Sequence, residues 1–397
     1  MKPLFTFSSN SVRLSSKGWI AALVILVLIF SILPVLWKGL EIFSPSDDYR
    51  VPYELSNDYW MFSRWCKYAS SSYPVLMIGD SVIWGQYVNM QETLPYYLSQ
   101  LFCTGSAKTL TKNEEQLFCT GSAKTLAEKL ININRERGFA NLGLDGIHPV
   151  AMCGLIRYYG RSISNKRVIL HLNPLWMSSK KHDLSDTDEF RFNHPRLVPQ
   201  FHPGIPSYRA KFSQRLGIAI GRNSFYSWID HVRQNYYENM DIGNWTMQYP
   251  YINPFSVISF QIPLPDNVSH SNPISWMERG MTKQDFPWVS VNESFQWDSF
   301  KKAVKLLQAR KNKVFVIIGP FNPYILTDKS LKRYNAMKKD METQLRDEGI
   351  SYASISDLPS QYYADASHPL KDGYAVIAKE LLDSELFKKW VNDILLN

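Results

Sequence analysis

The chain has 397 residues, of which 45% are apolar and 20% charged, and its formal net charge is +8. This length and apolar content suit one large α/β domain with insertions, and they exclude a small disulfide-stapled scaffold and a wholly disordered chain. Half of the net charge comes from Lys2, Arg13, Lys17 and Lys38, and no dense Lys/Arg block follows them, so nucleic acid is not an expected partner.

Residues 19–37 form an uncharged run, WIAALVILVLIFSILPVLW. As a helix this run would cover about 28 Å, close to the thickness of a bilayer's hydrocarbon core. Trp19 and Trp37 lie at its two ends, and aromatic rings favour the membrane interface. We therefore expect a transmembrane helix. A cleaved signal peptide is the less favoured alternative, because the run is longer than a typical signal core and no A-x-A-like site follows it.

The charges around this run predict its orientation. Arg13 and Lys17 precede it, whereas Glu41 and Asp47 follow it. Positively charged residues flank membrane helices on the cytoplasmic side. We expect a single-pass membrane protein with a cytoplasmic tail over residues 1–18 and a periplasmic or extracellular chain beyond the span.

Beyond the span, residues 38–72 are predicted to form a juxtamembrane linker. Short apolar runs then alternate with amphipathic stretches, a pattern typical of a parallel sheet with helices on both faces. We predict an α/β domain over residues 73–397. The predicted strands are 74–79, 138–143, 167–172, 313–319 and 350–355, and the clearest predicted helices are 148–161, 296–311, 330–347 and 370–395.

Two segments break this alternation. Residues 178–295 are rich in Pro, Asn, Trp and Tyr, with a predicted helix around 208–238. A structureless loop of this length is uncommon, so we expect the insertion to fold as a subdomain or lid. The sequence QLFCTGSAKTL occurs at both 100–110 and 116–126, and we interpret it as a local duplication with no chemistry of its own.

Ser81 is the first candidate catalytic residue, in the stretch IGDSVIWG that follows the first predicted strand. Side chains at this position lie at the carboxyl edge of a parallel sheet, where sites form. The helix that follows supplies free N–H groups that can face a developing oxyanion. A serine hydroxyl becomes nucleophilic only when a base removes its proton. The simpler alternative is that Asp80 or Ser81 only caps the helix.

Asp365 and His368 supply a candidate acid and base, in the stretch DASHPLKDGYAVIAKELL. Pro369 favours an extended conformation for His368, so the pair should lie on the loop that enters the last helix. The spacing allows the carboxylate to hold one imidazole nitrogen while the other faces Ser81. A D-x-x-H pair alone is weak, and a surface loop with an incidental histidine is the simpler alternative.

In combination these segments resemble the SGNH/GDSL hydrolases, in the order of that family's sequence blocks. GDS at 79–81, followed by Gly85, resembles block I, and NLGLDG at 141–146 resembles block II. HLNP at 171–174 is similar to block III, and DASH at 365–368 is similar to block V. The resemblance implies a flavodoxin-like three-layer sandwich, the SGNH-hydrolase fold, with a triad of Ser81, His368 and Asp365.

The resemblance also implies an oxyanion hole formed by the N–H groups of Ser81 and Gly143 and the side chain of Asn173. Each such donor typically contributes about 3–4 kcal/mol of transition-state stabilisation. Block III usually has glycine and aspartate where this chain has His171 and Pro174. These departures indicate a divergent branch of the family.

Four more polar residues are candidate pocket residues: Asp80, Asp145, His148 and Asn322. Asp145 and His148 lie beside block II, where the favoured alternative is that they cap the helix that begins near Pro149. Asn322 follows the fourth predicted strand, where it either shapes the pocket wall or makes a turn.

No metal or cofactor is expected. The four cysteines (Cys66, Cys103, Cys119 and Cys153) form no CxxC pair, and no His/Cys cluster has zinc spacing. A disulfide outside the cytoplasm stays open as an alternative.

The leading hypothesis is a serine-dependent ester hydrolase or O-acyltransferase. The N-terminal anchor is similar to that of family members that modify cell-envelope polymers, which implies an acylated polysaccharide as substrate and a membrane acyltransferase as a candidate partner. The second hypothesis is a catalytically inactive domain of the same fold that binds envelope glycan or docks a membrane partner.

Overall fold

The computed structural model describes residues 15–102, 138–186, 193–201, 211–236, 242–253 and 267–392. Most of the duplicated segment, including Cys103 and Cys119, lies outside the described residues. The chain divides into two compact units. The α1 unit comprises the described parts of Met1–Ser44 and Asn223–Pro263, and the sheet unit comprises those of Pro45–Arg222 and Leu264–Asn397.

Helices and strands are labelled here in chain order. The helices are α1 (Ser16–Leu40), α2 (Tyr59–Ser72), α3 (Ser81–Trp84), α4 (Pro149–Tyr158), α5 (Phe212–Ile220), α6 (Ser224–Tyr236), α7 (Ile242–Gln248), α8 (Phe295–Ala309), α9 (Asp328–Asp347), α10 (Lys371–Asp383) and α11 (Glu385–Asn392). The strands are β1 (Val75–Gly79), β2 (Phe139–Gly143), β3 (Arg167–Leu172), β4 (Lys313–Ile318) and β5 (Ser351–Ser354). Residues 94–102 are also helical.

The five strands form one parallel sheet in the order β2-β1-β3-β4-β5. Every residue of β1, β2 and β3 is buried, which explains why these strands are continuous rather than alternating apolar runs. After β1 the chain adds β2 on one side of that strand and then crosses back to add β3 on the other side. Ligands bind at such a switch point, outside the carboxyl ends of the strands.

The predicted parallel α/β sheet is confirmed, and the predicted strands differ from the observed ones by only a residue or so at each end. Two predicted helices are each divided in the structure. The segment 370–395 is interrupted by Ser384, whose backbone is extended between α10 and α11. The segment 208–238 is interrupted near Asn223, whose side chain accepts a hydrogen bond from the Phe225 N–H and begins α6 anew.

Much of the segment predicted as a linker is instead part of the sheet unit. Asp58 caps α2 by accepting a hydrogen bond from the Met61 N–H, and the apolar face of α2 is buried. The indole of Trp65 donates to the carbonyl of Asn141 on β2, at 2.8 Å. The aromatic residues at 59–65 therefore belong to the core, although serine and proline flank them.

The described parts of the insertion at 178–295 are divided between the two units. Those within Asn223–Pro263 belong to the α1 unit, and those at the two ends of the insertion belong to the sheet unit. At its C-terminal end, the Trp276 N–H donates to the carbonyl of Tyr363 at 2.9 Å. The Val268 carbonyl accepts from the buried guanidinium of Arg50 at 2.8 Å.

Ser15 caps the start of α1, its hydroxyl accepting from the Gly18 N–H. It has 25 residues and is the one helix in the described part of the chain that is long and apolar enough to cross a membrane. Pro34 lies inside the helix near its C-terminal end. This position is tolerated in a membrane helix, because neighbouring groups can satisfy the freed carbonyl.

The buried sheet predicts the cost of a core truncation. Leu170 on β3 is fully buried, whereas Leu386 on α11 is 64% exposed. We expect Leu170→Ala to lower the free energy of unfolding by about 2–5 kcal/mol, because it leaves a cavity. The matched control Leu386→Ala should change it by no more than about 0.5 kcal/mol. Chemical denaturation of the solubilised full chain measures both values, and equal losses would contradict this placement of the core.

Candidate active site

The nucleophile candidate lies at the carboxyl end of the central strand β1. Asp80 directly follows the strand and caps α3, its carboxylate accepting from the Val82 N–H at 3.0 Å. Ser81 is therefore the first residue of a short helix, where N–H groups lack intrahelical partners. Gly85 ends this helix with φ of 91°, a conformation that side chains with a Cβ rarely adopt. This turn fixes the position of Ser81.

The acid and base candidates lie on a loop that backbone contacts hold closed. The Asp365 carboxylate accepts from the N–H groups of Ser367 and His368, at 2.9 and 3.0 Å. The Ala364 N–H donates to the carbonyl of His368 at 2.8 Å. The loop is anchored to β4 by Asn322, whose side-chain amide donates to the carbonyl of Asp365 at 3.1 Å.

The two segments meet in a continuous row of hydrogen bonds. Ser81 Oγ lies 2.7 Å from His368 Nε2. On the other side of the ring, His368 Nδ1 lies 2.8 Å from Asp365 Oδ2. Since the carboxylate can only accept there, Nδ1 carries the proton and Nε2 is free to accept from the hydroxyl. Ser81 and His368 are 6% and 7% exposed, so the row is largely shielded from water.

Electrostatics favour a charged imidazolium at His368. Burial alone lowers the pKa of His368, but the charge and hydrogen bond of Asp365 raise it, and the net pKa lies above the usual value of 6.5. Burial raises the pKa of Asp365, but the charge of His368 and the hydrogen bonds that the carboxylate accepts lower it, and its net pKa lies well below 3.8. The site therefore stabilises the proton that His368 would accept from a serine.

A second buried network lies next to Ser81 in the chain and is centred on the Asp80 carboxylate. Asp80 Oδ2 accepts from the side chain of Asn173 at 2.8 Å and from the indole of Trp176 at 3.1 Å. His171 Nδ1 lies 3.3 Å from Asp80 Oδ1. Burial raises the pKa of Asp80, whereas the imidazole of His171 and the other partners lower it. The lowering effects together are larger, so the net pKa is below 3.8.

The orientation of His171 follows from its second contact. Its Nε2 lies 2.9 Å from the carbonyl of Gly319, which can only accept, so Nε2 carries a proton. The Nδ1 atom lies 3.3 Å from Asp80 Oδ1. The residue that departs from block III is thus the neighbour that most lowers the pKa of the Asp80 carboxylate.

The side-chain amide of Asn173 has a fixed orientation beside Asp80. Its Oδ1 accepts from the Leu175 N–H at 3.0 Å, and one of its two amide N–H groups donates to Asp80. These two bonds fix which end of the amide is which, and they leave one N–H group for a further acceptor.

Gly143 does not match its predicted role. Its N–H donates to the side chain of Asn141, two residues earlier on β2, at 3.0 Å. This N–H is therefore occupied rather than directed at the nucleophile. The glycine is explained by packing instead, because a Cβ here would lie 2.4 Å from the backbone nitrogen of Trp84. Of the three predicted oxyanion residues, Asn173 is bonded to Asp80, the residue before Ser81, and the Gly143 N–H is bonded to Asn141.

The four candidate pocket residues have different roles. Asp80 and Asn322 are buried: Asp80 caps the turn that holds Ser81, and Asn322 anchors the loop that holds Asp365. His148 caps α4, and burial lowers its pKa to about 3, so it is a neutral structural residue. Asp145 is half-buried and close enough to His368 for each charge to shift the pKa of the other. Burial raises the pKa of Asp145, and the charge of His368 lowers it, with a net rise.

Sequence reasoning missed Tyr87, which is part of the same row. Its hydroxyl donates to Asp365 Oδ2 at 3.1 Å, and its ring lies 5.3 Å from the His368 ring. The guanidinium of Arg279, from the end of the insertion, lies 4.7 Å from the Tyr87 ring centre. Burial raises the pKa of Tyr87 to about 12, with Asp365 adding to the rise, so Tyr87 is a donor. No motif marked it, since only folding brings it to Asp365.

The arrangement is chemically that of an activated serine, with base and orienting acid in one row. Within the described residues, no group of three or more His, Cys, Asp or Glu side chains is placed to hold a metal ion. No protein-family model matches the chain, and no curated protein matches it.

The buried Asp80–His171 pair predicts strong coupling between the two residues. His171→Leu removes the imidazole beside a buried carboxylate, and leaving a buried charge without its partner costs about 3–5 kcal/mol of stability. Asp80→Asn should cost much less in the His171→Leu background than in the wild type, because the charge is already unpaired there. Denaturation of the four proteins measures the coupling, and losses that add within about 0.5 kcal/mol would contradict it.

Proposed function

We propose that this protein is a serine-dependent ester hydrolase or O-acyltransferase of the SGNH/GDSL type. The single observation that carries the proposal is the row Ser81 Oγ–His368 Nε2 at 2.7 Å and His368 Nδ1–Asp365 Oδ2 at 2.8 Å. The resemblance of the four sequence blocks supports the same conclusion, as does the parallel sheet with β1 and β3 beside each other at its switch point.

In the proposed reaction, Ser81 Oγ attacks the carbonyl carbon of an acyl ester while His368 Nε2 takes the hydroxyl proton. Asp365 holds the imidazolium that forms. The C–O bond to the alcohol then breaks, and the departing oxygen takes the proton from His368. The product is an acyl-Ser81 ester. The same steps in reverse order, with water or an acceptor hydroxyl as nucleophile, release the acyl group.

The proposed oxyanion donors are the Ser81 N–H and the free amide N–H of Asn173. Asp80 holds the Asn173 side chain, and the imidazole of His171 lies beside the Asp80 carboxylate. In this proposal the first departure in block III, His171, is compatible with the oxyanion site, because it lowers the pKa of the carboxylate that holds Asn173. The His171 side chain also packs against Gly79, where a Cβ would lie 2.9 Å from the His171 Cβ.

We propose an acylated envelope glycan as the substrate and a membrane-bound acyltransferase as a candidate partner. The support is the apolar helix α1, which is long enough to tether the chain to a membrane. The proposed topology has the N-terminus in the cytoplasm and the sheet unit in the periplasm or outside the cell, as the flanking charges of the sequence indicate.

A fluorophosphonate probe tests the proposal directly, because it reacts only with activated serines. We expect wild type to be labelled and Ser81→Ala to be unlabelled, while the control Ser71→Ala, at an exposed serine at the end of α2, labels like wild type. A folded wild-type chain that stays unlabelled would contradict the proposal and favour the alternative of a non-catalytic binding domain.

The pH dependence of labelling tests the role of His368. The base must be neutral, so the rate should fall as the pH drops through the pKa of His368, which lies above 6.5. Removing the nearby charge with Asp145→Asn should lower this pKa and move the fall in rate to lower pH. The control Asp285→Asn removes an exposed carboxylate paired with Lys329 and should leave the profile unchanged. A shift in the opposite direction for Asp145→Asn would refute this assignment.

A further inference from the structure

Helix α6 of the insertion packs directly on the apolar helix α1. The rings of Phe225 and Phe30 stack with centres 3.9 Å apart, at an interplanar angle of 14°. Trp37, at the end of the apolar run, lies edge-on to Trp228 at 5.7 Å and to Tyr236 at 5.6 Å. These contacts join the second half of α1 to the whole length of α6.

A polar contact ends this interface. His231 Nε2 lies 2.5 Å from Glu41 Oε1, and both side chains are fully buried. The hydroxyl of Tyr236 also donates to Glu41 Oε1. Glu41 follows the last residue of α1, so this acidic group lies just beyond the apolar run.

The contacts define a depth scale along α1. Phe30 lies seven residues before Trp37, which in a helix is about 10 Å. The contacts follow the same order along α6 and along α1, since Phe225 lies beside Phe30 and His231 lies beside Glu41. The two helices therefore run in the same direction, with the first turn of α6 at the deeper level.

The composition of α6 follows the same scale. Its first half holds Phe225, Tyr226, Trp228 and Ile229, with two serines as its polar residues. Its second half is mainly polar, with Val232 and Tyr236 among Asp230, His231, Arg233, Gln234 and Asn235. The apolar half lies at the level of the apolar run, and the polar half lies at the level of Glu41. A helix wholly in water has no reason to divide its composition lengthwise in register with a membrane span.

The length of α1 gives the same result independently. If α6 lay in water, the bilayer could take only the part of α1 before Phe30, residues 16–29. Fourteen helical residues cover about 21 Å, well short of the roughly 30 Å of a hydrocarbon core. If α1 spans the membrane and α6 packs on it as described, the first half of α6 must lie inside the bilayer.

We propose that α6 is a second membrane-embedded element, which lies against α1 in the interfacial layer where the chain leaves the span. In this proposal the lipid bilayer covers the face of α6 that points away from α1. That face includes Tyr226 and Ile229, which are 43% and 39% exposed. Interfacial helices bury an apolar face to about 5–10 Å, which matches the depth of Phe225.

The segment after α6 in the α1 unit supports a lipid partner. Met247, Tyr249 and Tyr251 are 80%, 45% and 99% exposed, and Trp245 on α7 is partly exposed. Tyrosine and tryptophan are enriched where membrane proteins cross the interface. The described part of the insertion in this unit thus presents aromatic residues on both of its helices. The proposal does not depend on the catalytic assignment of Ser81.

Depth-sensitive labelling tests the proposal on the full chain. Single cysteines at 226 and 229, in a variant without the four native cysteines, would carry an environment-sensitive fluorophore in phosphatidylcholine vesicles with brominated acyl chains. Val24, 52% exposed on α1, is the reference inside the span, and Lys305, with a side chain 67% exposed on α8, is the reference in water. We expect quenching at 24, 226 and 229 and none at 305.

Several outcomes would overturn the proposal. Labels at 226 and 229 that behave like the label at 305 would place α6 in water. A blue-shifted but unquenched label would mean that protein, a second copy or a partner, covers this face instead of lipid. An unquenched label at 24 would remove the span on which the depth scale rests.

A second measurement avoids cysteine replacement. The wild-type chain, in vesicles that contain a phospholipid with a photoreactive acyl chain, would be irradiated and mapped by mass spectrometry. We expect adducts on peptides of α1 and of Ser224–Tyr236 and none on α8, which belongs to the sheet unit. Adducts on α1 alone would overturn the proposal even if a labelled variant had failed to fold.

Discussion

The hydrogen bond between Ser81 and His368 depends on one constraint, the parallel packing of buried strands. The two residues are 287 positions apart in the sequence. Parallel strands place all their carboxyl ends at one edge, so the loop after β1 and the segment between β5 and α10 leave the sheet on the same side, although β3 and β4 lie between β1 and β5. Tyr374 on α10 holds the two segments together, since its buried hydroxyl donates to the carbonyl of Val82, next to Ser81, at 2.6 Å.

Charge is arranged around this edge in two coupled pairs. Asp365 and His368 form the pair that faces the serine, and Asp80 and His171 form the pair beneath it. A buried carboxylate is costly unless it is paired and hydrogen-bonded, and both carboxylates meet that requirement through backbone N–H groups as well as imidazoles. The charge of Asp80 also contributes to the raised pKa of His368, so the second pair bears on the chemistry of the first.

Some parts of the site could be predicted from local signals. Continuous apolar runs such as VLMIG indicated buried strands, and the residues that follow them could be assigned to the carboxyl edge. The spacing of Asp365 and His368 determined that one loop could orient the imidazole. Other parts had no local signal. The apolar face of α2, the engagement of the Gly143 N–H by Asn141, and the contact of Tyr87 with Asp365 arise from neighbours that are distant in sequence or from a side-chain rotamer.

The sequence by itself determined the α/β class, the strand positions and the apolar helix, because these follow from hydrophobic periodicity, and its short-range spacing marked Ser81, His368 and Asp365 as candidates. The tertiary structure alone decided that Arg50 and Trp65 belong to the core, that His171 lies beside the Asp80 carboxylate, and that the described parts of the insertion are shared between two units. The physical reason is the same in each case: burial and hydrogen-bond partners are properties of the packed chain, and a buried polar group takes whichever partner the fold brings within reach.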